Sequence, residues 1–391
     1  MNKRAVIVLC LLGLGLRIAF VFVSGGELRL PDETRFWFQA KSIVNGDGLQ
    51  FHGLYANDMP LTPLFYAALI AIFGESILIA KLCTCAVSAM TVYAVAVLTY
   101  RVCADPMAAT TAAAITAVYP FFIFYSALIL SETLFVFVLV LLVTLLVAQN
   151  SSNSVFTGVM AGVAHLVKPL VLYLVPLLLI WQVVRNHANI RSSAIVLLVF
   201  VITITPWALR NFYSLGHLSF TTSGSGHVLW EGNNPWNNTG GVSGSFAQPE
   251  KFLESLPEGL GEFEADAWKK ERAISYIKQD PSLFLQSGIK KLGRFWSLWP
   301  NSKDYRGISY KLISIFSFGV ILVLAIIGTA TFYKRYRAIG LFLVIIGYFS
   351  LLHMLAIGSI RYRLPIEPFL IVIASLVLAK GFRQIVGARE T

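Results

Sequence analysis

Charge is what this chain has least of. Only 13% of its 391 residues are Asp, Glu, Lys or Arg, while 57% are hydrophobic. An ordinary soluble domain carries about 25% charged residues, so a soluble globular protein is excluded and a polytopic membrane protein is indicated. Cysteine is equally sparse. Cys10, Cys83, Cys85 and Cys103 lie in or beside apolar runs with no zinc-ligand spacing, and they read as small buried hydrophobes. No HExxH, Walker loop or nucleophile elbow occurs. The Gly-x-Gly at 224–226 lacks the third glycine and the strand of a dinucleotide site. Internal repeats and low-complexity tails are absent. Acids are outnumbered by bases, 20 to 31, giving a net charge of +11. In a soluble chain that excess suggests nucleic acid. Here the bases occupy short loops between apolar runs, the positive-inside pattern of a membrane protein, and no nucleic-acid motif is present.

What the chain has in abundance is helix-length apolar sequence. Lys3 and Arg4 precede the run 5–23, which is too long for a signal peptide and has no A-x-A cleavage site. It is expected to be a retained first span with a cytoplasmic N-terminus. Residues 77–100, 107–124, 132–148, 194–209, 310–333, 339–357 and 364–379 follow as spans. The run 155–184 is too long for one helix and breaks at Lys168-Pro169, giving two short spans. Residues 61–73 rise only about 20 Å at about 1.5 Å per residue, short of a roughly 30 Å hydrocarbon core. They are expected to lie at the outer surface. With these choices Arg101, Arg185, Arg191, Lys334, Arg335, Arg337, Lys380 and Arg383 all fall on the cytoplasmic side. The fold class expected is all-α and polytopic, with about ten transmembrane helices, outer juxtamembrane helices and one sizeable external segment of helices and loops. Three regions are expected: an N-terminal transmembrane core at 1–209, an external segment at 210–308 and C-terminal transmembrane helices at 309–391. In the external segment, 222–235 reads as loop or short strand. Residues 262–278 read as an amphipathic helix. Asp280-Pro281 caps a second helix running to Trp296, whose Lys290, Lys291, Arg294, Phe295, Trp296 and Trp299 suggest docking at the membrane interface.

This topology collects Arg17, Asp32, Glu33, Glu132, Lys168, Arg361 and Arg363 at the outer face. Ionisable groups at a membrane mark functional sites because each is costly there. Mixed acids and bases suit a phosphate-bearing ligand and a proton acceptor. Blander readings stand beside this one. Asp32 and Glu33 sit where a helix cap belongs. Arg17 can snorkel to the interface, Arg361 and Arg363 can anchor a helix end, and the set can simply brace loops.

Pro31-Asp32-Glu33 followed by aromatics and Gly46-Asp47-Gly48 resembles the first-loop acidic motif of GT-C glycosyltransferases. The branch it resembles most is the family 39-like one, that of dolichyl-phosphate-mannose protein mannosyltransferases and bacterial lipid A aminoarabinose transferase. Pro60-Leu61-Thr62-Pro63-Leu64-Phe65-Tyr66 with Phe73-Gly74 resembles the short helix that follows, and Ser131-Glu132 the second acidic motif. Lys168-Pro169 and Arg361-Tyr362-Arg363-Leu364-Pro365 with Pro368 also recur there. The resemblance implies transfer of a sugar from a polyprenyl-phosphate donor to a glycan, lipid or protein acceptor, at the outer face of a bacterial inner membrane.

On that reading Asp32 is the general base, and Glu33 and Glu132 are the further catalytic carboxylates, either of them able to orient the acceptor. Lys168, Arg361, Arg363 and Arg17 hold the donor phosphate. No particular cofactor is implied, and a divalent cation shared by Asp32 with Glu33 or Glu132 is one option. Membrane lipids are the remaining partner. The competing expectations are a transporter or flippase of lipid-linked saccharides, against which no paired half-repeats occur, and an O-antigen ligase-like enzyme.

Overall fold

The computed structural model describes residues 1–148, 153–186, 189–237, 255–301, 305 and 307–387. Helices account for nearly all of its regular structure, with no β-strand among the described residues. Seven helices are long and apolar enough to cross a membrane, or eight if a bent pair counts as one span. The chain is therefore an all-α polytopic membrane protein. The expected count of about ten is reached only by adding two short apolar helices.

Helix α1 (Lys3–Ser24) starts where the Asn2 side chain accepts from the Ala5 amide at 3.2 Å. Helix α2 (Pro31–Val44) begins with proline at N1, where a missing N–H costs nothing. Helix α3 (Leu61–Phe73) is the short apolar helix expected from its length. The long α4 (Ile77–Cys103) begins at a Ser76 cap. Pro106 opens α5 (Pro106–Val118), which turns by 52° into α6 (Pro120–Ser126) because Pro120 cannot donate to the preceding turn. Next come α7 (Ser131–Ala148), α8 (Ser154–Val167) and α9 (Val171–Asn186). The break between α8 and α9 falls at Lys168, which is extended (φ −143°, ψ 128°), as a residue preceding proline prefers.

Helix α10 (Ile190–Leu215) packs along α8. The segment expected as loop or strand instead holds α11 (Ser225–Gly232), a correction with a tertiary cause. The Asp266 carboxylate accepts from the Gly226 and His227 amides, both at 2.9 Å, capping the helix start from another element. The two amphipathic helices are found as α12 (Glu262–Gln279) and α13 (Pro281–Phe295), with Asp280 Oδ1 accepting from the Leu283 amide at 2.9 Å. Helices α14 (Ile308–Phe332) and α15 (Arg337–Leu355), a 3₁₀ turn at Ile360–Ile366 and α16 (Glu367–Gly387) complete the fold.

Phe369, Leu370, Ile371, Val372, Ile373 and Ala374 of α16 are all buried, and α4 and α7 enclose the same core. Helices α1, α10 and α14 are peripheral, each with less than a third of its apolar window covered by protein. The basic helix ends meet at one end of the bundle. Arg383 pairs with Asp105, Arg101 donates to the Thr144 carbonyl at 3.3 Å, and Gln182 donates to the Leu146 carbonyl at 2.9 Å. The opposite end carries α2, the break at Lys168, the 3₁₀ turn and α11 to α13.

Candidate active site

At that opposite end six charges alternate in a chain. Asp58 pairs with Arg35 Nε at 2.7 Å, and Arg35 Nη1 lies 2.9 Å from Asp32 Oδ1. Arg361 Nη1 donates to Asp32 Oδ2 at 2.6 Å, and its Nε to Glu132 Oε1 at 2.7 Å. Lys168 Nζ reaches the same Glu132 oxygen at 3.0 Å. Three acids and three bases leave the cluster formally neutral, which offsets the cost of holding ions where water is scarce.

Each residue is placed by local sequence. Asp32 and Arg35 are three apart on α2 and so share a face. Glu132 is the second residue of α7, near its positive end. Lys168 is presented by the proline-enforced break. Arg361 leads the 3₁₀ turn, where the ring of the following Tyr362 stacks on His353 at 4.7 Å and 3°. The two acids facing Arg361 differ in access. The Asp32 side chain is 28% exposed and that of Glu132 only 1%. Burial pushes the Asp32 carboxyl upward, but the guanidiniums of Arg361 and Arg35 outweigh it and hold the group below its ordinary value.

Three residues expected here lie elsewhere. Glu33 is fully buried and spent on backbone: Oε2 accepts from the Arg29 and Leu30 amides at 2.9 and 3.2 Å, and Oε1 from the Ile129 amide at 2.9 Å. It is the cap of α2 and a tie to the start of α7. Arg363 points into the protein. Its Nε meets Glu367 Oε1 at 2.7 Å, its Nη1 the Ser297 carbonyl at 2.7 Å, and its guanidinium sits 3.2 Å from the Phe318 ring centre. A 3₁₀ turn advances about 120° per residue, so positions 361 and 363 cannot share a face. Arg17 is also fully buried rather than snorkelling. It donates to Ser88 Oγ at 2.7 Å and to the Gly13, Ala117 and Thr116 carbonyls.

Arg35 and Asp58 were missed from the sequence. The Asp32–Arg35 spacing was a signal for the first. Nothing local announces that the loop before Pro60 folds back on α2. The helix expected to dock at the membrane interface packs one face on α15 and the 3₁₀ turn, with Lys291 fully buried and its Nζ donating to Asn233 Oδ1 at 2.7 Å, and leaves Leu285 and Ile289 exposed on another. Burial lowers the Lys291 ammonium to about 8.

A divalent cation shared by Asp32 and Glu132 does not fit these residues. The Arg361 guanidinium occupies the bridging position, Glu33 is committed to amides, and no group of three or more His, Cys, Asp or Glu converges among the described residues.

Residues 57–209 match the family model for dolichyl-phosphate-mannose-protein mannosyltransferase. That stretch includes Asp58, Glu132 and Lys168. No curated protein sequence matches the chain. Among solved structures, the chain is similar to the oligosaccharyltransferase AglB of Archaeoglobus fulgidus in complex with an inhibitory peptide and a dolichol-phosphate (15% identity, TM-score 0.61), covering 99% of this chain and 51% of that one. The same archaeal enzyme in complex with Zn and sulfate matches at 16% identity and a TM-score of 0.56, over 97% and 49% of the two chains. ArnT from Cupriavidus metallidurans, bound to undecaprenyl phosphate, aligns at 12% identity with a TM-score of 0.45, over 100% and 80%. The chain spans about half the length of the archaeal enzymes it matches. At these identities the likeness to the solved structures is one of fold.

Proposed function

We propose that this protein transfers a sugar from a polyprenyl-phosphate donor to a glycan, lipid or protein acceptor, at the outer face of a bacterial inner membrane. The observation that carries the reading is the Asp32–Arg361–Glu132–Lys168 chain. It sets a reachable carboxylate beside cations at one end of the helical bundle. The dolichol-phosphate bound to the similar archaeal oligosaccharyltransferase agrees with such a donor.

The chemistry follows from the residues. The acceptor oxygen or nitrogen attacks the anomeric carbon, the bond from that carbon to the phosphate oxygen breaks, and the acceptor proton passes to Asp32. Each Asp32 oxygen accepts one hydrogen bond from an arginine and keeps a lone pair for that proton. Arg361 and Lys168 stabilise the negative charge that grows on the departing phosphate. As they turn toward it, their hold on Asp32 and Glu132 loosens, and Asp32 becomes more basic when the proton must be taken.

Purified protein in detergent or membranes, supplied with a panel of polyprenyl-phosphate sugars, tests this. Consumption of one donor without an ion gradient is expected. Asp32→Asn is expected to slow it at least about a hundredfold, the lower end of a general base contribution, at unchanged protein level. Near-normal turnover in Asp32→Asn would leave Asp32 as an ion-pair partner only.

A further inference from the structure

Arg17 and Glu132 each have a deficit that the chemistry above does not use. The Arg17 guanidinium is fully buried in a transmembrane helix, and no carboxylate is among its partners. A buried cation with no counter-charge is costly. Glu132 Oε1 takes both Lys168 and Arg361, whereas Oε2 is buried and has no hydrogen-bond partner among the described residues. A buried carboxylate oxygen without a hydrogen bond is costly too.

Glu132 and the Ser88 partner of Arg17 meet at one cavity, the size of about one water, whose lining mixes Ser88, Thr91, Tyr125, Glu132 and Thr133 with the apolar Phe122, Val136 and Leu364. Ser88 is also the residue whose Oγ accepts from Arg17 Nε at 2.7 Å. Its hydroxyl donates to the Phe122 carbonyl at 3.4 Å, which leaves the oxygen one further acceptor position. The hydroxyls of Thr91 and Thr133 are spent as donors on the Val87 and Tyr125 carbonyls, both at 3.2 Å, and remain acceptors. The Ser88, Thr91, Thr133 and Glu132 oxygens thus offer acceptors, and the Tyr125 side chain adds an O–H of its own, a polar set that suits one water donating two hydrogen bonds.

We propose that this cavity is a site for one ordered water that donates to Glu132 Oε2 and to Ser88 Oγ, and that through it Arg17 fixes the Glu132 carboxylate. Arg17 and Ser88 are then positioning residues: they keep Oε2 turned into the protein and Oε1 toward Lys168 and Arg361. The buried cation gains its counter-charge through one hydroxyl and one water. The consequence for turnover rests on the function proposed above, but the water site does not.

Two measurements test the site without any substrate. A map of the purified full chain, at a resolution where other buried waters are visible, is expected to show a peak within hydrogen-bond distance of Glu132 Oε2 and Ser88 Oγ. The peak is expected to disappear in Ser88→Ala. No peak in the unaltered protein, or one that survives Ser88→Ala, overturns the proposal. In infrared difference spectra the Glu132 carboxylate band, assigned by subtracting Glu132→Gln, is expected to shift in Arg17→Gln and in Ser88→Ala. It is expected to stay in place in Thr99→Val, which removes a hydroxyl from the same helix at the other end of the bundle. Arg17→Gln removes several bonds at once and can fail to fold. Ser88→Ala leaves Arg17 its three backbone carbonyls and is the deciding variant, so a stationary band there overturns the proposal. Failure of every sugar donor would leave peak and band unaffected, and so separates this inference from the transfer reaction.

Discussion

Two arginines two positions apart in the 3₁₀ turn do opposite work. Arg361 spans two carboxylates with a planar fork, Nη1 on Asp32 and Nε on Glu132. An ammonium is a point charge and cannot make both contacts in that geometry. Arg361→Lys is therefore expected to lower initial rates with a polyprenyl-phosphate donor by roughly 10- to 100-fold, about 1.5–3 kcal/mol for a charged hydrogen bond. Arg363 is a brace, and its loss has a different signature. Arg363→Ala leaves the Glu367 carboxylate buried without its cation, which costs about 3–5 kcal/mol and is expected as a lower melting temperature in detergent. An Arg363 variant that slowed transfer while melting normally would return this residue to the donor phosphate. Glu33 and Asp32 divide in the same way. They are neighbours of the same type, yet one is spent on three amides and the other keeps lone pairs for a ligand.

The elements were more legible in the sequence than the contacts between them. Proline and asparagine or aspartate punctuation, together with long apolar runs, located α1, α4, the Lys168 break and the α12–α13 pair. These signals are local, and the structure agrees with them. Asp32, Glu132, Lys168 and Arg361 stood out because ions in an apolar chain are conspicuous. The direction a residue faces depends on helix type and on what packs against it, so the inward turn of Arg363 and the Asp58–Arg35 pair had no local signature. Helix α11 was missed for a related reason, since its Gly- and Asn-rich sequence looks like loop. Its glycines serve close packing: a Cβ at Gly226 would overlap the Asp266 carbonyl, and one at Gly232 the Ala356 carbonyl next to the 3₁₀ turn. Gly232→Ala is expected to destabilise the protein by about 1–3 kcal/mol, the range for overpacking. Gly293, inside α13, has open space at its Cβ position. Gly293→Ala is expected to stabilise by about 0.5–1 kcal/mol, since alanine loses less entropy in a helix. Paired thermal melts read the two signs. Equal effects in both variants would mean that α11 does not pack on the 356–363 segment as described.

At the scale of the whole molecule, the two ends of the bundle are chemically different, and that difference orients it. One end gathers Arg101, Arg335 and Arg383 with few acids. The other carries the neutral six-charge chain and the covering helices α11, α12 and α13. Short loops rich in Lys and Arg stay on the cytoplasmic side during insertion, because translocating them is disfavoured. The proposed lipid-linked sugar donor adds a second requirement, as its phosphate would have to meet Arg361 and Lys168 at the headgroup level on the opposite side. Both arguments predict one arrangement, basic end inside and site outside. Single cysteines at Glu258 and Arg335, each exposed, test it when Cys10, Cys83, Cys85 and Cys103 are replaced by alanine. A membrane-impermeant maleimide applied to intact spheroplasts is expected to label the Glu258→Cys protein. The Arg335→Cys protein should label only after the membrane is opened. Labelling of Arg335→Cys from outside would invert the protein, place the Asp32–Arg361–Glu132 chain in the cytoplasm, and require a donor presented from the inner leaflet.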